Sequence, residues 1–277
     1  MDSGIKFMLI SVLFFALMNL TVKFLNRLPA TELVLFRSII TLVLSLAFLI
    51  RKRIPVFGQN HKVLLLRGIF GVIALTLFFF TLQRLPLGSA ITIQYLSPIF
   101  TIIFAAIVLK ERTIPLQYAY FAISFAGIIL IKGFDPRVDT LLLTLGIVSA
   151  IFAGLAYICI RFLSGKEHPM VVVFYFPLVA IPIMSVFSLF SWVAPAGIEW
   201  LLILLMGIFT QIAQYNMTKA FQHSEVRFVA GLKYLGVLFA LGFDVLIFGY
   251  SHHVTALVGM GLVVSGVVLN NLRKKPA

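Results

Sequence analysis

Lys233 and Asp244 lie in a stretch, residues 226–249, whose other side chains are mostly apolar. An ionisable group in hydrocarbon costs several kcal/mol unless it is paired or faces water, so each marks a candidate site. A lysine there suits an anionic or zwitterionic solute. An aspartate suits a proton or a cationic group, which makes Asp244 a proton-coupling candidate. Eleven positions put the two on one helical face but roughly 16 Å apart at 1.5 Å per residue, too far for a salt bridge. Each therefore needs another partner, either a solute or a side chain of another helix.

Weaker polar groups gather around them by helical spacing. Gln94, Ser97, Pro98, Thr101 and Ala105 form one small or polar stripe, and Tyr95 adjoins it. Gln211, Gln214, Tyr215 and Thr218 form a second, and Asn19 and Tyr157 add an amide and a phenol on two further segments. Amides and aromatic hydroxyls orient a polar solute, so Asn19, Gln94, Tyr95, Tyr157, Gln211, Gln214, Tyr215 and Lys233 are the expected binding residues. Pro98 removes the helical bond to the Gln94 carbonyl, which either frees that oxygen for a ligand or merely kinks the helix. Lys23 and Arg161 lie one turn beyond Asn19 and Tyr157, where long cationic chains reach toward a membrane face.

The elements that must position these residues are membrane helices. Of 277 residues, 61% are hydrophobic and 11% charged, with a mean hydropathy of +1.11, a composition outside the soluble class. A span needs roughly 20 apolar residues. Ten are predicted, over about 4–25, 31–50, 62–83, 88–109, 115–132, 139–163, 168–191, 197–221, 226–249 and 253–272. The first is expected to be a retained helix rather than a signal peptide, because no small-x-small cleavage site follows it. No loop is long enough to fold as a separate domain.

The net charge of +13 follows topology rather than nucleic acid. With the N-terminus inside, fifteen lysines and arginines fall on the cytoplasmic side, among them Arg51-Lys52-Arg53, Arg67 and Arg273-Lys274-Lys275. Six fall outside: Lys23, Arg27, Arg37, Arg84, Lys132 and Arg137. The positive-inside rule then places both termini in the cytoplasm. The single cysteine, Cys159, excludes an intramolecular disulfide and reads as a packing residue. His252 and His253 are adjacent and lack metal-ligand neighbours, and no phosphate loop, HExxH or GxSxG occurs. No cofactor is expected, and an enzyme is not.

The chain also repeats itself. A shift of 138 lays residues 10–25 on 148–163, with Ser11 on Ser149 and Phe24-Leu25 on Phe162-Leu163. A shift of 139 lays Gly68-Ile69-Phe70 on Gly207-Ile208-Phe209, Tyr95-Leu96 on Tyr234-Leu235, and Gln94 on Lys233. Two units result, 1–137 and 138–277. Five spans each is an odd number, so the second must be inverted in the membrane, as in secondary transporters.

Residues 86–112, PLGSAITIQYLSPIFTIIFAAIVLKER, with Glu32–Ser38 (ELVLFRS), resemble the drug/metabolite transporter superfamily, in its ten-helix EamA-type branch. The resemblance covers essentially the whole chain. It implies an all-α integral membrane fold of two inverted five-helix repeats around a central cavity lined by spans 1, 3, 4, 6, 8 and 9. It also implies export or exchange of small metabolites by alternating access. The second copy departs from the pattern, with Gly231, Val237 and Tyr250 where relatives repeat a proline and a closing glutamate. Glu111 is expected to hold a helix end. The expectation is a carrier in the cytoplasmic (inner) membrane for a small polar organic solute bearing a carboxylate or phosphate. A passive channel or scaffold and, behind it, a membrane-embedded enzyme are the alternatives. Gly259, Gly261 and Gly266 permit close helix approach, within the chain or in a homodimer.

Overall fold

A computed structural model describes residues 3–108, 139–224, 235–250 and 253–272, together with single positions and pairs between them, including 110, 229, 232 and 233. Most of the predicted fifth span, Glu111, Gly231, Tyr234, His252 and the basic C-terminal cluster lie outside the described residues. All regular structure among the described residues is helical: α1 (Ser3–Phe24), α2 (Ala30–Arg51), α3 (His61–Arg84), α4 (Leu87–Gln94), α5 (Ser97–Val108), α6 (Thr140–Phe162), α7 (Pro169–Ser188), α8 (Glu199–His223), α9 (Leu235–Leu246) and α10 (Val254–Leu272). Among the described residues, seven segments are long and apolar enough to cross a membrane, with α4 and α5 together forming one of them. The chain is a multi-pass membrane protein.

Its helices are polar inward and apolar outward. On α2, Arg37, Ser38, Thr41 and Ser45 are buried while Ile39, Val43, Leu44 and Ile50 are exposed. The 3.6-residue period thus sorts hydrogen-bonding groups toward protein and leaves aliphatic groups for lipid, where an unpaired polar group is costly. The helices start with local signals. Asp139 accepts from Leu142 N at 2.7 Å at the start of α6, and His168 Nδ1 accepts from Met170 N at 3.1 Å at the start of α7, where Pro169 needs no partner.

The main packing pairs are α1 with α8, α2 with α7 and α8, α3 with α6 and α7, α5 with α6, and α4 with α9. Glycines bring two of these pairs close: a Cβ on Gly68 or Gly207 would run into Val179 or Ile40. On α10, by contrast, a Cβ on Gly261 would meet open space.

The fourth predicted span is not one helix kinked at Pro98. It breaks at Tyr95–Leu96, where Leu96 N bonds to the Ile93 carbonyl at 3.0 Å, and α5 restarts with Pro98 in its first turn. A proline in that position sacrifices no intrahelical bond.

Candidate functional site

One face of each of several helices closes on a central cavity of about 830 Å³, its mouth included. From α1 come Ser11, Phe15, Met18 and Asn19, and from α3 Arg67, Gly71, Ala74, Leu75 and Phe78, both at three- and four-residue intervals. The α4 segment and the break after it supply Ile91, Gln94 and Tyr95. Ala153, Ala156 and Tyr157 come from α6, and Gln214 and Met217 from α8. Arg37 of α2, Phe176 of α7 and Lys233, just before α9, complete the polar and aromatic wall. Small residues at 71, 74, 153 and 156 leave the space that the long polar side chains share.

Six of the expected binding residues meet here: Asn19, Gln94, Tyr95, Tyr157, Gln214 and Lys233. Lys233 Nζ donates to the Tyr157 hydroxyl at 2.7 Å and lies 3.9 Å from that ring's centroid. Tyr157 in turn stacks on Phe221, centroids 5.2 Å apart. The Gln94 amide lies 2.7 Å from Ser149 Oγ, which is also 2.7 Å from the Ala74 carbonyl. A hydroxyl has one proton, so an amide turned to donate its N–H satisfies both contacts. Asn19 Oδ1 and Ser11 Oγ are buried without a hydrogen-bond partner among the described residues.

The other three expected residues sit elsewhere. Gln211 turns toward α2 and α7, with Nε2 donating to Ser45 Oγ at 2.9 Å and approaching Met170 Sδ at 3.2 Å. Tyr215 packs on Phe48 of α2, centroids 5.7 Å apart, beneath the Lys219 ammonium. Asp244 is fully buried, and its carboxylate accepts from Leu87 N at 3.0 Å and Gly88 N at 2.6 Å. It therefore joins α9 to the start of α4, where a negative charge complements the free N–H groups. Lys233, Gly236, Ala240 and Asp244 do share a buried face, and the Tyr95 hydroxyl fills the place a side chain at Gly236 would take.

Arg37 and Arg67 correct the sequence reading. Counted there as charges on opposite membrane faces, they are 1% and 3% exposed and line the same cavity. Arg37 Nε donates to Thr210 Oγ1 at 3.0 Å, and Arg67 Nη2 to Gln214 Oε1 at 3.2 Å. Both guanidiniums lie over Phe176, 4.8 and 5.4 Å from the ring centroid. Arg37 Nη1 and Arg67 Nε have no hydrogen-bond partner among the described residues. A cation–π contact is worth about 2 kcal/mol when desolvated, less than the several kcal/mol that burial of each charge costs. The missing signal was present in the sequence: Arg67 interrupts the apolar run from Val63 to Phe70, and Arg37 opens the polar stripe of α2. No carboxylate is among the described residues lining the cavity.

The helical order, the buried polar cavity and the lipid-suited exterior agree with comparisons to known proteins. The EamA-like transporter family matches residues 2–133 and 140–272. The chain belongs to that family. This EamA-like chain is 31% identical to the pseudopaline exporter CntI of Pseudomonas aeruginosa, over 99% of this chain and 98% of that one. Human solute carrier family 35 member G1 is 27% identical, covering 88% of this chain and 72% of the carrier. A crystal structure 20% identical superposes with a TM-score of 0.77 over 98% of this chain and 96% of that one, a likeness of fold. The family and these relatives identify a transporter in the drug/metabolite superfamily, acting on a small molecule in a lipid membrane.

Proposed function

We propose that this transporter is an alternating-access carrier that exports or exchanges a small polar organic solute bearing a carboxylate or phosphate. The observation that carries the reading is the cavity itself: Arg37, Arg67 and Lys233 point their charge at one space with no acidic residue among the described lining. An anion supplies what the buried cations lack, and Asn19, Gln94, Gln214, Tyr95 and Tyr157 orient the rest of the solute. The export direction is suggested by the relative whose name states it.

The architecture we assign is ten spans in two inverted repeats, 1–137 and 138–277, in the cytoplasmic membrane with both termini inside. Packing supports it. If α1, α2, α3 and α4–α5 correspond to α6, α7, α8 and α9, the α1–α8 contact exchanges with α6–α3, and the α2–α8 contact with α7–α3. Pairs that exchange under one operation are what a two-fold relation between repeats requires.

Asp244 keeps its proposed proton response through structure rather than solute contact. A protonated carboxyl holds the Leu87 and Gly88 N–H groups less strongly, so protonation loosens α4 from α9.

Uptake of labelled carboxylates and phosphates into proteoliposomes tests the reading. Saturable flux accelerated by the same solute trapped on the far side supports a carrier. Flux that rises without saturation makes the protein a pore and sinks the proposal.

A further inference from the structure

We propose that the cavity is a two-part site for a dianion whose charged groups are separated: Arg37 and Arg67, gathered about Phe176, take one group, and Lys233 takes the other. This rests on the cavity being the transport site.

The two arginines form a built subsite. Each is more than nine-tenths buried, and each has a guanidinium nitrogen without a hydrogen-bond partner among the described residues. Their protein partners, Thr210 Oγ1 and Gln214 Oε1, are neutral, and so is the ring they share. Two like charges held beside one ring repel each other, so an oxyanion between them both removes that repulsion and accepts the unused N–H groups. Guanidinium forks match the two oxygens of a carboxylate or the oxygens of a phosphoryl group.

Lys233 belongs to another wall. It leans on Tyr157 of α6, with the Tyr95 ring 6.0 Å away, whereas Phe176 and its arginines belong to α7, α2 and α3. Its partner, a phenol, is neutral as well. A lysine ammonium is a compact point charge that accepts an anion from any direction. Three cations facing one solute, with no carboxylate among the described residues lining the cavity, favour at least two negative charges on it. Their division between walls favours two groups on one molecule over one group with two charges.

The full-length protein, purified in detergent, is titrated at matched ionic strength with succinate against butyrate, glutarate against valerate, adipate against hexanoate, and with inorganic phosphate. Binding is read by calorimetry and by thermal shift, since a ligand of the folded state raises its apparent stability. The expected result is that one dianion binds at least tenfold more tightly than its monoanion, at a preferred chain length set by the separation of the subsites. Lys233→Gln then lowers that dianion toward the level of its monoanion, a larger loss than the monoanion itself suffers. Arg67→Gln weakens both.

Equal binding of dianion and monoanion at every length, absent binding included, overturns the inference. So does phosphate binding as tightly as the best dianion, or Lys233→Gln weakening both members of a pair by one factor. If a monoanion is nevertheless exchanged saturably, the carrier reading stands and only the dianion falls. If no solute is exchanged saturably, the carrier reading itself falls.

Discussion

Lys23 and Arg161, 138 residues apart, cap equivalent helix ends. Lys23 Nζ donates to the Leu82 and Leu85 carbonyls at 3.2 and 2.5 Å, closing the end of α3. Arg161 Nη1 donates to the Phe221 and Ser224 carbonyls at 3.4 and 3.3 Å, closing the end of α8. Leu82 and Leu85 map onto Phe221 and Ser224 by the same shift of 139 that aligns the middle of the two halves. A cation at a helix C-terminus binds the carbonyls left without intrahelical donors and complements the helix dipole.

Lys23→Met is therefore expected to destabilise the protein by about 1–3 kcal/mol, the range for hydrogen bonds to a charged group. Arg161→Met should cost less, because its contacts are longer and less buried. The caps lie on different helix pairs, so the double variant should lose the sum of the two within about 0.5 kcal/mol. Thermal unfolding in detergent measures all three, and a double variant no less stable than Lys23→Met would contradict independent caps.

Gly236→Ala is expected to clash with the Tyr95 hydroxyl. Overpacking of this kind costs about 1–3 kcal/mol, and the displaced ring borders the cavity. Tyr95→Phe in the same chain removes the obstructing oxygen and should recover most of the lost stability. A double variant as unstable as Gly236→Ala would place the strain elsewhere.

Asp244→Asn keeps one acceptor but loses the charge and turns an NH2 donor toward either Leu87 N or Gly88 N, and should cost about 1–3 kcal/mol, the scale for a buried donor left without an acceptor. The variant's transport should also lose whatever response to a pH gradient the natural protein has. An unaltered pH-gradient response in Asp244→Asn would remove the proton role and leave the cap.

His168, at the start of α7, is held below the ordinary histidine range, first by burial and then by the charge of Lys219. Its ring nitrogen accepts from Met170 N, so only the neutral ring can cap. The folded pKa is lowered, hence the contribution is full above the unfolded value of about 6.5 and is lost as pH falls through the folded value. Unfolding temperature should drop on acidification through this window, and His168→Asn, which retains a cap without titrating there, should flatten the drop.

The sequence by itself determined the membrane class, the family and, among the described residues, the places of seven membrane-long segments, because hydrocarbon thickness and helical period act on local composition. Within one unbroken helix it also determined which residues share a face: Gly236, Ala240 and Asp244 of α9 are all buried, whereas the stripe through Gln94 is interrupted by the break at Tyr95–Leu96. Tertiary structure decided which neighbour each face meets. Gln211 and Gln214, three residues apart on α8, diverge to different neighbours, one toward Ser45 and Met170 and the other toward Arg67 and the cavity. Arg37 and Arg67, separated by a loop and counted on opposite sides, converge because α2 and α3 both pack on α7, where Phe176 waits between them. Periodicity sets an azimuth relative to a helix's own axis; only packing sets the rotation of one helix against another, and that rotation is what brings two isolated arginines over one ring in one cavity.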